Sequence, residues 1–312
     1  MQGNGVLNTA LMMACALLLD RLLGEPRRWH PLVGFGNFAA WMERRMNGGA
    51  HPAFRLRVHG VLAWLLVIAP WLALVWLLWR RQPLQPLTGI LVLYFALGMQ
   101  SLSEHAGRIR QALQADDLAL ARLRVGEIVS RDTAAMQQQD VARAGVESVL
   151  ENGNDAVFGA LFWFVLAGAL GVLLYRLANT LDAMWGYRTP RYRYFGWAAA
   201  RLDDALNFIP ARLTAFTYAL LGNTSIALRC WRQQARTWDS PNAGPVMASG
   251  AGSMAVMLGG VANYHGAREE RPALGAGNAP GAADIARATT LVQRGAWLWV
   301  LLLLLSGAWS HA

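Results

Sequence analysis

Long apolar runs free of charge divide this chain. Residues 58–79 and 82–103 contain no Asp, Glu, Arg or Lys, and each is long enough to cross ~30 Å of hydrocarbon as a helix. Residues 156–175 and 295–310 are further runs of this kind, and 6–19 is a shorter one. The pattern predicts an integral membrane protein with about five membrane-embedded segments. Only Arg80 and Arg81 separate the first two runs, and Pro83 and Pro86 open the second, so a tight antiparallel helical hairpin is expected there. Residues 21–57 carry seven arginines, which places that loop in the cytoplasm by the positive-inside rule. The run at 6–19 has no basic start, and Asp20-Arg21 follows where a small-residue cleavage site would stand, so it is expected to stay in the mature protein. Asp20, Glu25 and His30 beyond it face a ligand or build a turn at His30-Pro31.

From 104 to 155 the pattern turns amphipathic, with Ile109 and Leu113 on one stripe and Val125, Ile128 and Val129 on another. Asp116 is the expected N-cap of the second helix, and 130–133 a turn. A third helix is expected over 137–151. Glu147, Glu151 and Asp155 recur every four residues and share one face if the helix continues. Acids so aligned repel one another unless cations intervene, which suggests Mg²⁺ held with phosphate; a solvated acidic face is the alternative. The expected fold class is therefore an all-α polytopic membrane protein, one membrane-embedded domain over 1–312 with 104–155 as a cytoplasmic helical insertion.

Asp155 and Asn179 flank the apolar run 156–178, whose ends would lie ~35 Å apart in a straight helix. Glycines at 168 and 171 interrupt it near the middle. A bend is least costly there, so re-entrant half-helices over 156–166 and 172–178 are expected, an ordinary span being the alternative. Residues 240–260 are rich in Gly, Ala and Ser. Ser240 and Asn242 open a helix N-terminus where an anion can sit, although such helices also serve close packing, and 244–260 is a candidate cover for the re-entrant pair. Tyr264-His265-Gly266 ends this unit, 268–280 reads as a polar loop, and Asp284 caps the final helix.

The net charge of +9 comes from 28 basic residues, all arginine. Without lysine, Walker-type phosphate loops and Schiff-base chemistry are excluded; phosphate must be held by Arg, backbone N–H groups or metal. The arginines border apolar segments instead of forming one basic face, which argues against nucleic acid. Cys15 and Cys230 read as packing residues, and the six histidines show no zinc spacing. The densest polar stretch is 179–214, where Asn179, Asp182, Asp203 and Asp204 stand among Arg188, Arg191, Arg193, Arg201 and Arg212 and the aromatics from Trp185 to Trp197. A lipid-headgroup collar explains the arginines and aromatics. It leaves the carboxylates unexplained, and these point to a polar site beside a membrane.

SRDT at 130–133, ESVLENGND at 147–155, NTLDAMWGY at 179–187, RYRYFGWAAARLDD at 191–204, PARLTA at 210–215 and SPNAG at 240–244 resemble the cobalamin-biosynthesis family CbiB/CobD, adenosylcobinamide-phosphate synthase. The opening DRLLGEP with HP is similar to that family's start. The resemblance runs through nearly the whole chain in family order. Departures are Glu25 for Asp, Gly153 for Thr or Ser, and Tyr-His-Gly at 264–266 for Tyr-Phe-Gly.

The resemblance implies an ATP-dependent amide ligase in the bacterial cytoplasmic membrane, multi-pass, with its active site facing the cytoplasm. Its substrates would be the corrinoid adenosylcobyric acid and 1-amino-2-propanol O-phosphate or a related amino-alcohol phosphate. Membrane lipids and other membrane-associated cobalamin-assembly enzymes are the expected partners. On this reading Glu151, Asp155, Asp182 and Asp204 are catalytic, and Glu147, Glu151, Asp155 and Asp182 hold Mg²⁺. Arg131, Asp132, Asn179, Arg191, Arg193, Arg201, Asp203, Arg212, Ser240 and Asn242 bind phosphate or substrate, and the aromatics from Trp185 to Trp197 lie against corrin or adenine. A non-catalytic membrane sensor of the related AmpE-like group is the alternative, and would need no paired acids; a transporter is disfavoured because the acids cluster at segment ends.

Overall fold

The computed structural model describes residues 3–26, 30–48, 51–264 and 267–309. His265 and Gly266 of the expected Tyr-His-Gly motif, and residues 27–29 between DRLLGEP and HP, lie outside these. The protein is a helical polytopic membrane protein, with five stretches among the described residues long and apolar enough to cross a membrane: Gly5–Leu23, Ala53–Trp79, Gln82–Gln114, Gln138–Trp185 and Ala282–Trp309. The chain forms two compact units.

Unit 1 comprises Met1–Gly98, Gly159–Asn207 and Val300–Ala312. It holds α1 (Gly3–Leu23), α2 (Pro31–Met46), α3 (Ala53–Trp79), α4 (Gln85–Ala96), α8 (Gly159–Trp185) and the start of α9 (Trp197–Leu221). His30 is the N-cap of α2, its Nδ1 accepting the Leu32 N–H at 3.2 Å, so of the two readings of His30 the turn residue is the one observed. The predicted run 82–103 is not one helix: α4 stops at Leu97, whose extended backbone (ψ 151°) breaks it. The core joins Phe35 and Ala39 of α2, Trp64, Val67 and Ile68 of α3, and Leu177, Leu181 and Trp185 of α8, with Phe195 sealing it.

The bend expected in 156–178 is present. Ala167 and Gly168 leave helical geometry, Gly168 at φ 61°, ψ −149°, a region open to glycine and costly for any other residue. The limbs 159–166 and 169–185 fold against each other. Gly159 and Tyr175 would be ~24 Å apart in a straight helix, yet a Cβ added at Gly159 would collide with the Tyr175 hydroxyl, and one at Gly171 would stand 2.5 Å from the Trp163 carbonyl oxygen. The second limb is longer than predicted and carries Asn179 and Asp182 within it.

Unit 2 comprises Met99–Phe158 and Phe208–Trp299. It contains α5 (Met99–Gln114), α6 (Leu118–Gly126), α7 (Gln138–Gly153), α10 (Thr224–Gln234), α11 (Ala243–Met254), strands β1 (Met257–Tyr264) and β2 (Ala267–Gly275), and most of α12 (Ala282–Trp309). The N-cap of α6 is Asp117, which accepts the Leu120 N–H at 2.9 Å; Asp116, expected there, takes a positive φ of 55°. The two strands form a single small ladder within the helical fold. The small-residue helix ends at Met254 with Ala255 left-handed at φ 55°, and 257–275 forms an antiparallel hairpin in place of the expected helix end and polar loop. Within unit 2 the small residues of α11 serve packing: a Cβ at Gly250 would stand 2.8 Å from Leu150, and one at Gly252 2.8 Å from Ala227.

Candidate active site

In unit 1 the segment between α8 and α9 folds back on the helices that flank it. A Cβ at Gly60 would strike the Phe195 carbonyl, and one at Gly196 the Trp185 carbonyl, so glycine at both positions lets the segment lie flat. Beneath it opens a cavity of about 530 Å³, lined among others by Arg57, Arg188, Arg193, Arg201, Asp204 and Gly186. Four guanidinium groups face one carboxylate there, and Tyr187, Tyr192, Tyr194 and Trp197 supply flat walls. Arg57 sits over the Tyr194 and Trp197 rings at 5.8 and 5.6 Å. Of the expected phosphate ligands, Arg193 and Arg201 line this cavity.

The carboxylates gather behind it. Asp203 is buried and accepts the side-chain amides of Asn179 at 3.3 Å and Asn207 at 3.2 Å. Asn207 in turn accepts the Tyr175 hydroxyl at 2.9 Å, so the hairpin of α8 supplies both Asn179 and the anchor of Asn207. Burial pushes the Asp203 carboxyl up to about 6, against the pull of the two amides, and the nearby Asp204 adds to the rise. Asp204, 3.8 Å from Arg201, is also raised by burial, with Arg201 and Arg188 opposing. The Asp182 carboxylate leans over the backbone of Gly186, where a Cβ would collide with it; Gly186 lines the cavity, and Asp182 lies behind it.

Arg191 has a different task from the phosphate binding expected of it. Its guanidinium grips buried Glu43 in bidentate fashion, at 3.0 and 2.8 Å, while Asn47 donates to Glu43 at 2.7 Å and to the Arg191 carbonyl at 3.1 Å. Burial alone would raise the Glu43 carboxyl; these donors outweigh it and hold the group below its ordinary range. Arg191 pins the cavity-forming segment to α2.

In unit 2 the predicted acidic face is split. Glu147 is buried against arginine: its carboxylate receives Arg131 at 2.7 Å, Arg271 at 3.0 and 3.2 Å, and the Gly259 N–H at 2.8 Å. With every lone-pair direction in use, neither Glu147 as metal ligand nor Arg131 as phosphate clamp is what the geometry offers. The Gly259 amide reaches Glu147 because β1 bulges between Leu258 and Gly260, with Gly259 and Gly260 at φ 80° and 78°. Glu151 and Asp155 remain half-buried. Asp155 does not continue the four-residue repeat in register, because residues Asn154–Phe158 form a π-turn, a widening that recurs at functional sites. The Tyr218 hydroxyl donates to the Leu150 carbonyl at 3.1 Å beside this turn, and Thr214 to Asn154 at 2.9 Å. A side chain at position 153 would collide with the Tyr218 hydroxyl and crowd Val292, which explains glycine there.

Arg212 lies over the Phe208 ring at 3.7 Å and donates to the Asn242 side chain at 2.6 Å and the Pro241 carbonyl at 2.9 Å; burial lowers its pKa. Ser240 stands before α11, its hydroxyl accepting the N–H groups of the N-cap Asn242 and of Ala243 at 3.3 and 3.1 Å. Those amides are therefore not left open for an anion. Asp132 is exposed in the turn before α7. Sequence reasoning did not select Arg57, Asn207, Tyr175 or Arg271 for the site. Asn207 lies four residues beyond Asp203, a helical spacing that signals contact; Arg57 and Arg271 reach their partners only through tertiary packing.

Among the described residues no group of three or more His, Cys, Asp or Glu side chains forms a metal cage. The donor set still suits Mg²⁺, which keeps several waters and takes one or two carboxylates together with substrate phosphates.

The family model described as CobD/Cbib protein matches residues 13–292. A protein of Chromobacterium violaceum named cobalamin biosynthesis protein CobD is 58% identical over 299 residues, covering 95% of this chain and 96% of its own. Its namesake in Stutzerimonas stutzeri is 59% identical over 297 residues, covering 95% and 97%, and that of Mycobacterium tuberculosis 38% over 300 residues, covering 92% and 93%. No solved structure matches the chain.

Proposed function

The chain belongs to the CobD/Cbib family of cobalamin biosynthesis proteins, and from that premise we propose that it is an ATP-dependent amide ligase joining adenosylcobyric acid to 1-amino-2-propanol O-phosphate or a related amino-alcohol phosphate. The observation that carries the reading is the unit 1 cavity, lined by Arg57, Arg188, Arg193, Arg201 and Asp204, with Asp182 packed against its Gly186. An amino-alcohol phosphate has a dianion at one end and an ammonium at the other. The arginines suit the first, in bidentate contacts, and the carboxylates suit the second.

A carboxylate is a poor acyl donor at neutral pH; ATP, with Mg²⁺ to offset its charge, would transfer its γ-phosphoryl group to the carboxylate with release of ADP, and attack by the amine would then expel inorganic phosphate. The residues of this chain do the positioning and the proton transfer. Asp204, raised by burial, takes the proton the amine must lose before it attacks, a task favoured by a base whose pKa approaches the working pH. Asp203, fixed by Asn179 and Asn207, keeps its neighbours Asp182 and Asp204 in place. Within unit 1, Asp182 would be a carboxylate available to Mg²⁺; within unit 2, taken by itself, Glu151 and Asp155 would be. The tyrosines and Trp197 offer surfaces for the corrin. We place the protein in the bacterial cytoplasmic membrane with this site on the cytoplasmic side, where ATP is available; the seven arginines of residues 21–57 support that orientation.

A strain blocked at cobinamide-phosphate formation and fed cobyric acid tests the reading. Restoration of cobinamide phosphate by this gene is expected. Failure to restore it, with the protein present in the membrane, would favour the non-catalytic sensor, which has no use for buried clustered carboxylates.

A further inference from the structure

We infer that unit 2 carries a nucleotide-binding pocket of its own, at the end of α10, in which Arg212, Arg232 and Arg236 hold phosphates and Trp231 and Trp238 hold the base. The inference rests on the ligase reading above and adds where its nucleotide is bound. The cavity measures about 660 Å³ and is also lined by Asp239.

Charge is the first argument. Arg232 and Arg236 stand one helical turn apart, and both are exposed. Like charges at that spacing repel, and no carboxylate pairs with either among the described residues. Arg212 is held ready by Asn242, the Pro241 carbonyl and the face of Phe208, again with no carboxylate partner. Three cations therefore converge on a cavity whose lining holds a single acid, Asp239. Because Ser240 already satisfies the first amides of α11, side chains and not the helix terminus would recognise an anion here.

Rigidity is the second. Arg271 stacks on Trp238 at 5.4 Å, and Arg271 is itself clamped by buried Glu147. The Gln234 side chain donates to the Gly275 carbonyl at 2.9 Å and accepts its N–H at 2.7 Å, fastening the end of α10 to β2. The indoles are thus set by the same frame that holds α7, the helix bearing Glu151.

The ligand chemistry follows. Guanidinium groups select phosphate, and indole faces select a planar ring. The Asp239 carboxylate accepts hydrogen bonds, as from ribose hydroxyls or an exocyclic amine. A phospholipid headgroup offers the phosphate but neither the ring nor those donors, so a nucleoside polyphosphate is the ligand that uses every feature.

Equilibrium dialysis of radiolabelled ATP with Mg²⁺ against the full-length protein in detergent tests this, using the wild type, the double variant Arg232→Gln/Arg236→Gln, and Trp231→Leu. The double variant is expected to bind ATP at least tenfold more weakly with an unchanged melting temperature. Trp231→Leu is expected to weaken ATP severalfold and to leave inorganic triphosphate unaffected. A wild type that binds no ATP would remove the ligase reading and this inference together. A wild type that binds, with a double variant that binds equally well, would remove only the pocket. Equal loss of ATP and triphosphate in Trp231→Leu, or a double variant that loses affinity for phosphatidylglycerol vesicles but not for ATP, would also overturn the assignment.

Discussion

Arg271 meets the carboxylate of Glu147 with two guanidinium nitrogens, at 3.0 and 3.2 Å, both groups being buried in unit 2. Removing one partner of such a pair leaves the other charge uncompensated, at a cost of about 3 to 5 kcal/mol. Glu147→Gln should therefore lower the thermal unfolding midpoint in detergent strongly, whereas Glu151→Gln, with no such arginine clamp, should lower it little. Equal midpoints for Glu147→Gln and the wild type would show that the clamp adds nothing to the fold.

Arg191 and Arg193 are two residues apart and should fail in opposite ways. Arg191→Ala strands buried Glu43, so its main effect is on stability, on the order of 1 to 3 kcal/mol. Arg193→Ala should leave the midpoint alone and raise the Michaelis constant for the amino-alcohol phosphate at least tenfold. Arg193→Lys should also be damaging, since a point charge cannot reproduce a bidentate contact. An unchanged Michaelis constant in Arg193→Ala would remove that residue from the site.

Gly168→Ala tests the bend in α8. The left-handed φ of 61° costs a non-glycine residue roughly 1 to 3 kcal/mol, and the new Cβ would stand 2.9 Å from the Trp79 ring. Gly34→Ala, in open space on α2, is the control and should be neutral or slightly stabilising. If both variants melt alike, the backbone at 168 is helical and the hairpin is wrong.

Asp203 links stability to pH with a definite sign. Its folded-state carboxyl is raised from 3.8 to about 6, so the folded state binds the proton more readily than the unfolded one. The stability this provides is fully present below pH ~4 and is lost as pH rises through ~6. Asp203→Asn cannot titrate, so the wild type should lose stability relative to this variant as pH climbs from 4 to 7, by roughly 1 to 3 kcal/mol. A constant difference across that range would show that Asp203 is not raised.

The hairpin of α8 was legible because its cause is local: two glycines inside an apolar run, with polar residues at both ends. The stretch 179–214 stood out because carboxylates have no reason to gather beside lipid, and the structure brings its Asn179, Asp203 and Asn207 into one hydrogen-bonded group. What the sequence concealed was pairing. Arg191 and Arg193 look alike in RYRYFG, and only packing gives one to Glu43 and leaves the other in the cavity. Glu147, Glu151 and Asp155 look equivalent at four-residue spacing, but the π-turn at 154–158 and the arginines of the 131 turn and β2 separate their roles. The β-hairpin was missed because glycines and charged residues in 257–275 hide strand alternation, and its strands are held through the Glu147 contacts with Gly259 and Arg271.

We propose that the carboxylates beside the arginine-lined cavity of unit 1 make an amide bond. The most direct measurement is formation of adenosylcobinamide phosphate by the purified protein from adenosylcobyric acid, ATP, Mg²⁺ and 1-amino-2-propanol O-phosphate, in wild type, Asp182→Asn and Asp204→Asn. Turnover is expected in the wild type, none without Mg²⁺, and a loss of at least a hundredfold in each variant with an unchanged melting temperature. Near-normal turnover in both variants, or a wild type inactive with every substrate present, would contradict it.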